Sequence, residues 1–501
     1  MPLPGIKLTN NSPFKVLSPE AENNFDCSLD GVSVLGLPRA ISRQQENRLV
    51  TTFLSGFRKL LSKDDNWTFW QQLKLSLESC VRCQTCSEAC PIYIASGRQE
   101  IYRPTFRLEV LRRIKGKYID SGGAFSWLTG NNIELNWAMI ARLAELAYRC
   151  TMCRRCAQSC PMGVDNGLIT REIRKLLSQE MGIAPKELHD LGTVPQLSGN
   201  GNDHIKEFYK TVRIMESDIG EITGKLIKIP VDVVGADVLF IHSSNTESAW
   251  LASLESFAII FGRANISWTI SSEIGFQGGN FGVWYDDIQF ARIAFKQIEI
   301  ARKLKVKKIV VGECGHANKG MVVLADRILV AEANLPRETY LPLIEDLVCN
   351  GKLELDPRKN NFPVTLHDPC NIVRQMGIVE PQRRILRRIC PQFREMDPHG
   401  VENYCCGGGS GFNFISSTNF FDWRMSIAGR MKAKQILETF QDIPDPSIKK
   451  YTCTPCFTCK SQMSDLFRYY DLEKSYGITY GGLVELIVNA MPDIKKPIIK
   501  W

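Results

Sequence analysis

No apolar run in this chain of 501 residues reaches the roughly 18–20 residues that span a bilayer, so no transmembrane helix is expected. The opening MPLPGIKLTNNSPF lacks a charged stretch followed by an apolar one, so no secretory signal is expected either. Charge of one sign is also scarce. Sixty-two basic residues stand against 54 acidic ones, leaving a net charge of +8, which is modest for this length. The densest basic group, Arg383, Arg384, Arg387 and Arg388, has no aromatic residues interleaved with it, and nucleic acid is not an expected partner. The plain reading of that group is a solvated helix face; the sharper one is a dock for an acidic partner or a lipid surface. The stretch GGGSG at 407–411 lacks the Lys and Ser/Thr of a P-loop and does not fit G-x-G-x-x-G, which argues against a nucleotide loop.

Cysteine is abundant instead, at 18 residues. Eight of them fall in two identical runs. Cys80, Cys83, Cys86 and Cys90 precede Pro91, and Cys150, Cys153, Cys156 and Cys160 precede Pro161. Each reads C-x2-C-x2-C-x3-C-P, the ligand spacing of two-cluster bacterial-type ferredoxins. Three closely spaced thiolates wrap one face of an iron–sulfur cube, and the fourth lies too far along to close the same one. The expected assignment is therefore crossed. One cubane [4Fe–4S] cluster takes Cys80, Cys83, Cys86 and Cys160, and the other takes Cys150, Cys153, Cys156 and Cys90. One run alone would suit zinc; two matching runs, each closed by proline, favour iron–sulfur. Clustered metal-type spacings, rather than scattered pairs, point to a reducing, cytoplasmic setting.

The length allows two to four domains. Residues 1–75 read as a polar arm followed by amphipathic helices near 44–61 and 67–77. Residues 76–185 hold both runs, with helical periodicity over 106–114, 133–148 and 168–181, which makes this a helical ferredoxin domain. Residues 186–232, with LSGNGND inside, read as a linker or cover segment. From 233 the pattern turns to α/β. Strands are expected at 236–242, 308–311, 363–367 and 450–453, and helices over 286–304 and 424–440. The order repeats, with 233–358 as a first unit and 359–501 as a second. VLFIHSSN pairs with PVTLHDPCN, FQGGNFG with YCCGGGSG, and KKIVVGEC with KKYTCTPC. The pairing sets Ser244 opposite Cys370, Gln277 and Gly278 opposite Cys405 and Cys406, Val311 opposite Cys453, and Cys314 opposite Cys456. The first repeat has lost its thiols except Cys314. The fold class expected is thus a helical two-cluster ferredoxin domain followed by two pseudo-repeated α/β domains.

In the second repeat Cys370, Cys405, Cys406, Cys453 and Cys456 come from three strand ends, which converge at the carboxyl edge of an α/β sheet. Glycines 407, 408, 409 and 411 allow close approach of backbone to a bulky cluster. The order Cys370, 34 residues, Cys405–Cys406–Gly, then Cys453-x2-Cys456 resembles the cysteine-rich CCG domain of heterodisulfide reductases. The gap of 46 residues before Cys453 is longer than usual in that family, and an extra Cys459 follows; the repeat pairing favours Cys453 over Cys459. The layout resembles the fused D-type subunit. FQGGNFG, GECGHA, HDPCN and CCGGGSG further resemble the DsrK-type subunits of membrane complexes linked to dissimilatory sulfite reduction.

That resemblance implies a noncubane [4Fe–4S] centre at Cys370, Cys405, Cys406, Cys453 and Cys456. It implies catalysis on a disulfide or trisulfide, carried by a small DsrC-like protein. It also implies a membrane-embedded quinone- or haem-binding subunit and other redox subunits as partners, at the inner face of the cell membrane. The competing reading is a non-catalytic electron-transfer subunit of a flavin-dependent dehydrogenase of the glycolate, lactate or glycerol-3-phosphate type. A third is a scaffold that binds zinc. Cys314 reads as a redox thiol, an extra ligand or a small buried hydrophobe. His316, beside it, is a candidate proton donor or a packed histidine, and His367, ahead of Asp368 and Cys370, stands the same way. Cys27, Cys349 and Cys390 read as core or surface thiols.

Overall fold

Apolar residues at three- and four-residue steps build helices across the first part of the chain. The computed structural model describes residues 35–120, 133–190, 202–242, 251–274, 280–329, 335–415, 418–499 and 501. Its contacts divide into two units. The first comprises Met1–Thr193, Trp284–Asp287 and Gly407–Lys432; the second comprises Val194–Val283, Ile288–Cys406 and Ala433–Trp501.

The first unit is helical. Its longer helices are α1 (Arg43–Leu60), α2 (Trp70–Ser79), α3 (Pro104–Tyr118), α4 (Trp137–Tyr148) and α5 (Asn166–Lys175). Their starts are written in the sequence. The Ser42 hydroxyl caps α1, Asn136 caps α4 and Asp165 caps α5, while Pro104 opens α3. Helix α5 is buried along its whole length and packs on α2, α3 and α4. Its charged residues are therefore paired. Lys175 meets Asp287 at 2.6 Å, Arg171 pairs with Glu172 at 3.0 Å and with Asp287, and Arg107 of α3 reaches the Thr170 hydroxyl at 3.0 Å.

The second unit holds two four-stranded sheets, parallel throughout. Strands β1 (Val238–Ile241), β2 (Trp268–Thr269), β3 (Lys308–Val311) and β4 (Arg337–Thr339) lie in the order β2-β1-β3-β4. Strands β5 (Val364–Leu366), β6 (Phe393–Arg394), β7 (Lys450–Cys453) and β8 (Ile478–Gly481) lie in the order β6-β5-β7-β8. The registers agree as well: Ile241 pairs with Val311, and Leu366 with Cys453. The helices of this unit include α6 (Asn202–Thr223), α7 (Leu251–Arg263), α8 (Asp287–Lys303), α9 (Gly315–Asn318), α10 (Tyr340–Cys349), α11 (Cys370–Val373), α12 (Pro381–Ile389), α13 (Phe457–Tyr469) and α14 (Leu483–Asn489). The packing of α7 on α14 is mirrored by that of α10 on α12. In each pair a helix after the first strand of one repeat meets the helix after the last strand of the other, as a pseudo-twofold relation requires.

One expectation about organisation is narrowed and another is corrected. Within 186–232, expected as a linker or cover segment, α6 occupies 202–223 and packs its Phe208, Val212, Met215, Ile219 and Ile222 into the core, so that part covers rather than links. Their three- and four-residue spacing is the ordinary signature of a buried helix face. Residues 407–432, expected inside the second repeat, belong to the helical unit. There Gly407 has φ +96°, and a Cβ on it would lie 2.5 Å from the Gly429 backbone. Gly407 thus serves close backbone packing.

Candidate metal centres

The two ferredoxin-type runs share one local backbone. Arg82 and Gln84 in the first, and Met152 and Arg154 in the second, all take left-handed conformations. Four side-chain-bearing residues in that region are held there by their surroundings. Alternation of this kind turns successive N–H groups inward, the nest geometry found around anionic and iron–sulfur groups. The Met152 N–H points at Cys150 Sγ at 3.4 Å and the Val164 N–H at Cys160 Sγ at 3.3 Å. A short helix follows each loop, Thr85–Ala89 and Arg155–Gln158, and the two pack on each other.

That packing exchanges the last cysteines. Cys80, Cys83, Cys86 and Cys160 line one pocket. Burial pushes the Cys86 thiol up to about 11, reinforced by Cys160 and then by Cys80, Cys90 and Cys83. Desolvation pushes Cys90 up to about 12, with Cys153 and Cys150 as its charged neighbours. Cys156 is raised too, chiefly by burial and then by Cys90, Cys153 and Cys150. Arginines hold the loops from outside. Arg112 donates to the Cys80 carbonyl at 3.0 Å, Arg155 to the Ala89 carbonyl at 2.6 Å, and Arg174 to the Cys150 carbonyl at 2.8 Å. Arg174 also donates to the Ser410 carbonyl at 2.7 Å, and the Ser410 hydroxyl donates to the Thr151 carbonyl at 2.9 Å.

In the second unit the thiols form a row. Cys459, in the first turn of α13, lies between Cys406 and Cys456 and hydrogen-bonds both, which raises its own pKa. Cys406 is held well below the ordinary thiol range by hydrogen bonds from Cys405 and Cys459, with His367 adding to them. Cys456 is lowered by Cys314 and Cys459, with His316 nearby, and the Gly315 N–H donates to its sulfur at 3.3 Å. Cys370 is buried as the first residue of α11, four residues after the end of β5, and α11 packs on α9. The equivalents Cys314 and Cys456 touch because residues near a pseudo-twofold axis meet their own counterparts.

Cys453, the expected donor, is not in this row. It ends β7, pairs with Leu366 and Gly481, and is fully buried in the hydrophobic core, with Glu313 and Cys390 as the main charged neighbours raising its thiol. Alternation along a strand explains the correction: a residue within the ladder points where its register sends it, whereas Cys456 and Cys459 lie beyond the strand end. Of the other expected positions, Val311 is an ordinary buried strand residue, Cys390 is core and Cys349 is exposed. Ser244, Gln277, Gly278 and Cys27 lie outside the described residues.

Two polar assemblies brace the row, and no local sequence pattern announces either. Arg383 is buried, grips both Asp368 carboxylate oxygens at 2.8 and 2.7 Å and reaches Glu395 at 3.0 Å. The Gly400 N–H adds a third bond to Asp368 at 2.6 Å. Arg384 pairs with Glu345, and Arg387 lies 3.7 Å from Glu380. Arg383 thus turns its charge into the protein, while Arg384, Arg387 and Arg388 stay exposed on the solvated face of the helix. Behind the thiols, Lys460 is buried between Glu313 at 2.9 Å and Glu485 at 2.7 Å. The Glu313 carboxylate also accepts the Leu483 N–H at 2.9 Å and the Ser253 hydroxyl at 3.1 Å. Glu313 precedes Cys314 and Lys460 follows Cys459, so this clasp ties the Cys314 end of the row to its middle.

The donor sets suit iron–sulfur groups. All the described cysteines are free of disulfides. Gathered thiols that would repel once ionised are relieved by a cationic metal, and a vicinal pair such as Cys405–Cys406 reaches two irons more readily than one ion. A family model described as a 4Fe-4S dicluster domain matches residues 76–164, and one described as a cysteine-rich domain matches 364–464. Curated relatives agree. The "Hdr-like menaquinol oxidoreductase iron-sulfur subunit 2" of Archaeoglobus fulgidus is 25% identical over 490 residues, covering 88% of this chain and 83% of the relative. The D-type subunit of the "Dihydromethanophenazine:CoB--CoM heterodisulfide reductase" of Methanosarcina acetivorans is 24% identical over 398 residues, covering 78% and 89%. The "EtfAB:quinone oxidoreductase" of Syntrophomonas wolfei is 23% identical over 425 residues, covering 78% and 55%. The chain thus carries a 4Fe-4S dicluster domain followed by a cysteine-rich domain, and over most of its length it is similar to heterodisulfide-reductase-type iron–sulfur subunits.

Proposed function

We propose that this chain is the iron–sulfur subunit of a heterodisulfide-reductase-like complex and that it reduces, or in reverse forms, a sulfur–sulfur bond. Cys80, Cys83, Cys86 and Cys160 would hold one cubane cluster, and Cys90, Cys150, Cys153 and Cys156 the other. Cys370, Cys405, Cys406, Cys456 and Cys459 would hold a noncubane centre. The observation that carries the reading is the buried row of thiols in the second repeat, which a pure electron carrier does not need. Bound in these sites, the clusters would supply single-electron storage and, in the third, iron with room for a substrate sulfur. The chain's own residues do the rest. Burial keeps water away from the row, and the Lys460 clasp ties its Cys314 end to Cys459. Cys314 stands against Cys456 as a thiol outside the proposed ligand set, with His316 beside it as the candidate proton donor.

A disulfide or trisulfide on a small DsrC-like carrier protein fits as substrate. No described helix is long and apolar enough to cross a membrane. The menaquinol and dihydromethanophenazine in the relatives' names support a membrane partner that handles carriers of that kind, with this chain peripheral on the cytoplasmic face. The test is the iron count and spectra of purified protein. About twelve irons are expected, four per cluster. Cys406→Ser should abolish disulfide-dependent turnover and leave both cubane EPR signals intact. The quinone oxidoreductase relative favours a second reading, pure electron transfer. Under that reading the variant would lose no sulfur chemistry, because the wild type would have none.

A further inference from the structure

We propose that His367 is a nitrogen donor at the metal centre of the second repeat, beside Cys406 and Cys459. The inference rests on the reading of that repeat as a metal site. One donor atom from each of His367, Cys406 and Cys459 lies within 4.8 Å of the others, and all three residues are buried. Three donors converging without solvent are a metal-site geometry, since ligand bonds of about 2.0–2.3 Å bring neighbouring donors to similar separations. The imidazole is also aimed by its surroundings. The His367 backbone N–H donates to the Cys453 carbonyl at 2.8 Å, and the next residue, Asp368, is gripped by Arg383 and Gly400. Ligating side chains are commonly oriented by such outer contacts.

The chain contains its own control. His242 holds the equivalent place at the end of β1, one residue beyond Ile241 as His367 is beyond Leu366. It stacks on Phe240 at 6.0 Å and meets Phe257 edge-on at 6.0 Å. Its Nδ1 has no hydrogen-bond partner among the described residues. The pairing sets Ser244 and Gln277 where the second repeat has thiols. At the same backbone position one histidine is packed among rings and the other among thiols. The packing role does not require the sulfurs, so their arrival at His367 marks a different one.

An imidazole in place of a thiolate raises the potential of an iron–sulfur centre. The experiment uses the full chain with its six histidines labelled with 15N. In resonance Raman spectra, metal–ligand bands of the third centre should shift with the label. The shift should persist in His316→Ala and vanish in His367→Ala, with both cubane EPR signals retained as the folding control. His367→Cys should lower the midpoint potential of the third centre and leave those of the cubanes unchanged. Label-insensitive bands in a protein that carries about twelve irons would overturn the His367 assignment alone. A shift that is lost in His316→Ala would overturn it as well. A protein with iron for only the two ferredoxin-type sites would overturn the underlying reading, and this one with it.

Discussion

Cys459 and Cys453 differ by six positions and by everything that matters to a ligand. Cys453 is fixed by the β7 ladder into a hydrophobic core, while Cys459 turns from α13 onto Cys406 and Cys456. Cys459→Ser should therefore cost the third centre, seen as a loss of about four irons with cubane signals unchanged. Cys453→Ser should keep the full iron content and show only a stability loss of about 1–3 kcal/mol from a hydroxyl in an apolar site. The reverse pattern would restore the sequence pairing. That pairing was right in register and still misled, because matching Cys453 to Val311 says which positions are equivalent and nothing about which way they face. His242 gives a second residue-scale prediction. Burial, and then the nearby Lys460 charge, lower it to about 3. The native state thus binds fewer protons than the unfolded chain between about pH 6.5 and 3. Stability should be unaffected above that window and fall as pH drops into it, by up to about 1.4 kcal/mol per unit. His242→Phe should flatten the change in denaturation midpoint between pH 7.5 and 5.5. An equal fall in both proteins would remove His242 as the cause.

At the scale of elements, two short loop–helix pieces, each too small to hold a cube alone, exchange their last cysteines through the packing of Thr85–Ala89 on Arg155–Gln158. Cys160 lines the pocket of Cys80, Cys83 and Cys86 rather than that of its own run. Cys160→Ser should shift the EPR spectrum and potential of the cluster held by the first run, and Cys90→Ser those of the second. A response confined to each residue's own run would refute the crossing. The meeting of Cys160 with the first run was legible because ligand spacing limits what one short segment can wrap. Helices α1 to α5 were legible from their periodicity, strands β1 and β3 from their buried apolar runs, and β5 and β7 from the recurrence of the same order. Helix α6 was not, because the Gly and Asn residues ahead of it carried the stronger turn signal. The Arg383–Asp368 grip and the Lys460 clasp were not either, since long-range ion pairs leave no local pattern.

For the whole molecule, the two units rest on different kinds of stability. The sheet unit has a continuous apolar core, reaching from Phe208 and Met215 through both repeats to Ile498 and Ile499. The cysteine loops of the helical unit have no such support. Cys83 is exposed, Cys80, Cys90 and the four cysteines of the second run are only partly buried, and four loop residues sit in left-handed conformations. Where metal binding supplies folding free energy, its removal is felt first by the segments that wrap the metal. Chelation of iron from the full chain should therefore speed amide hydrogen exchange over 80–90 and 150–160 by orders of magnitude. Strands β1, β3, β5 and β7 should keep most of their protection, because local opening costs follow local packing. The row around Cys459 should loosen less than the ferredoxin loops, since Lys460, Glu313 and Glu485 clasp it without any metal. If the sheet strands lost protection together with the loops on chelation, the metal would be holding the whole chain, and the apolar core would count for less than its continuity implies.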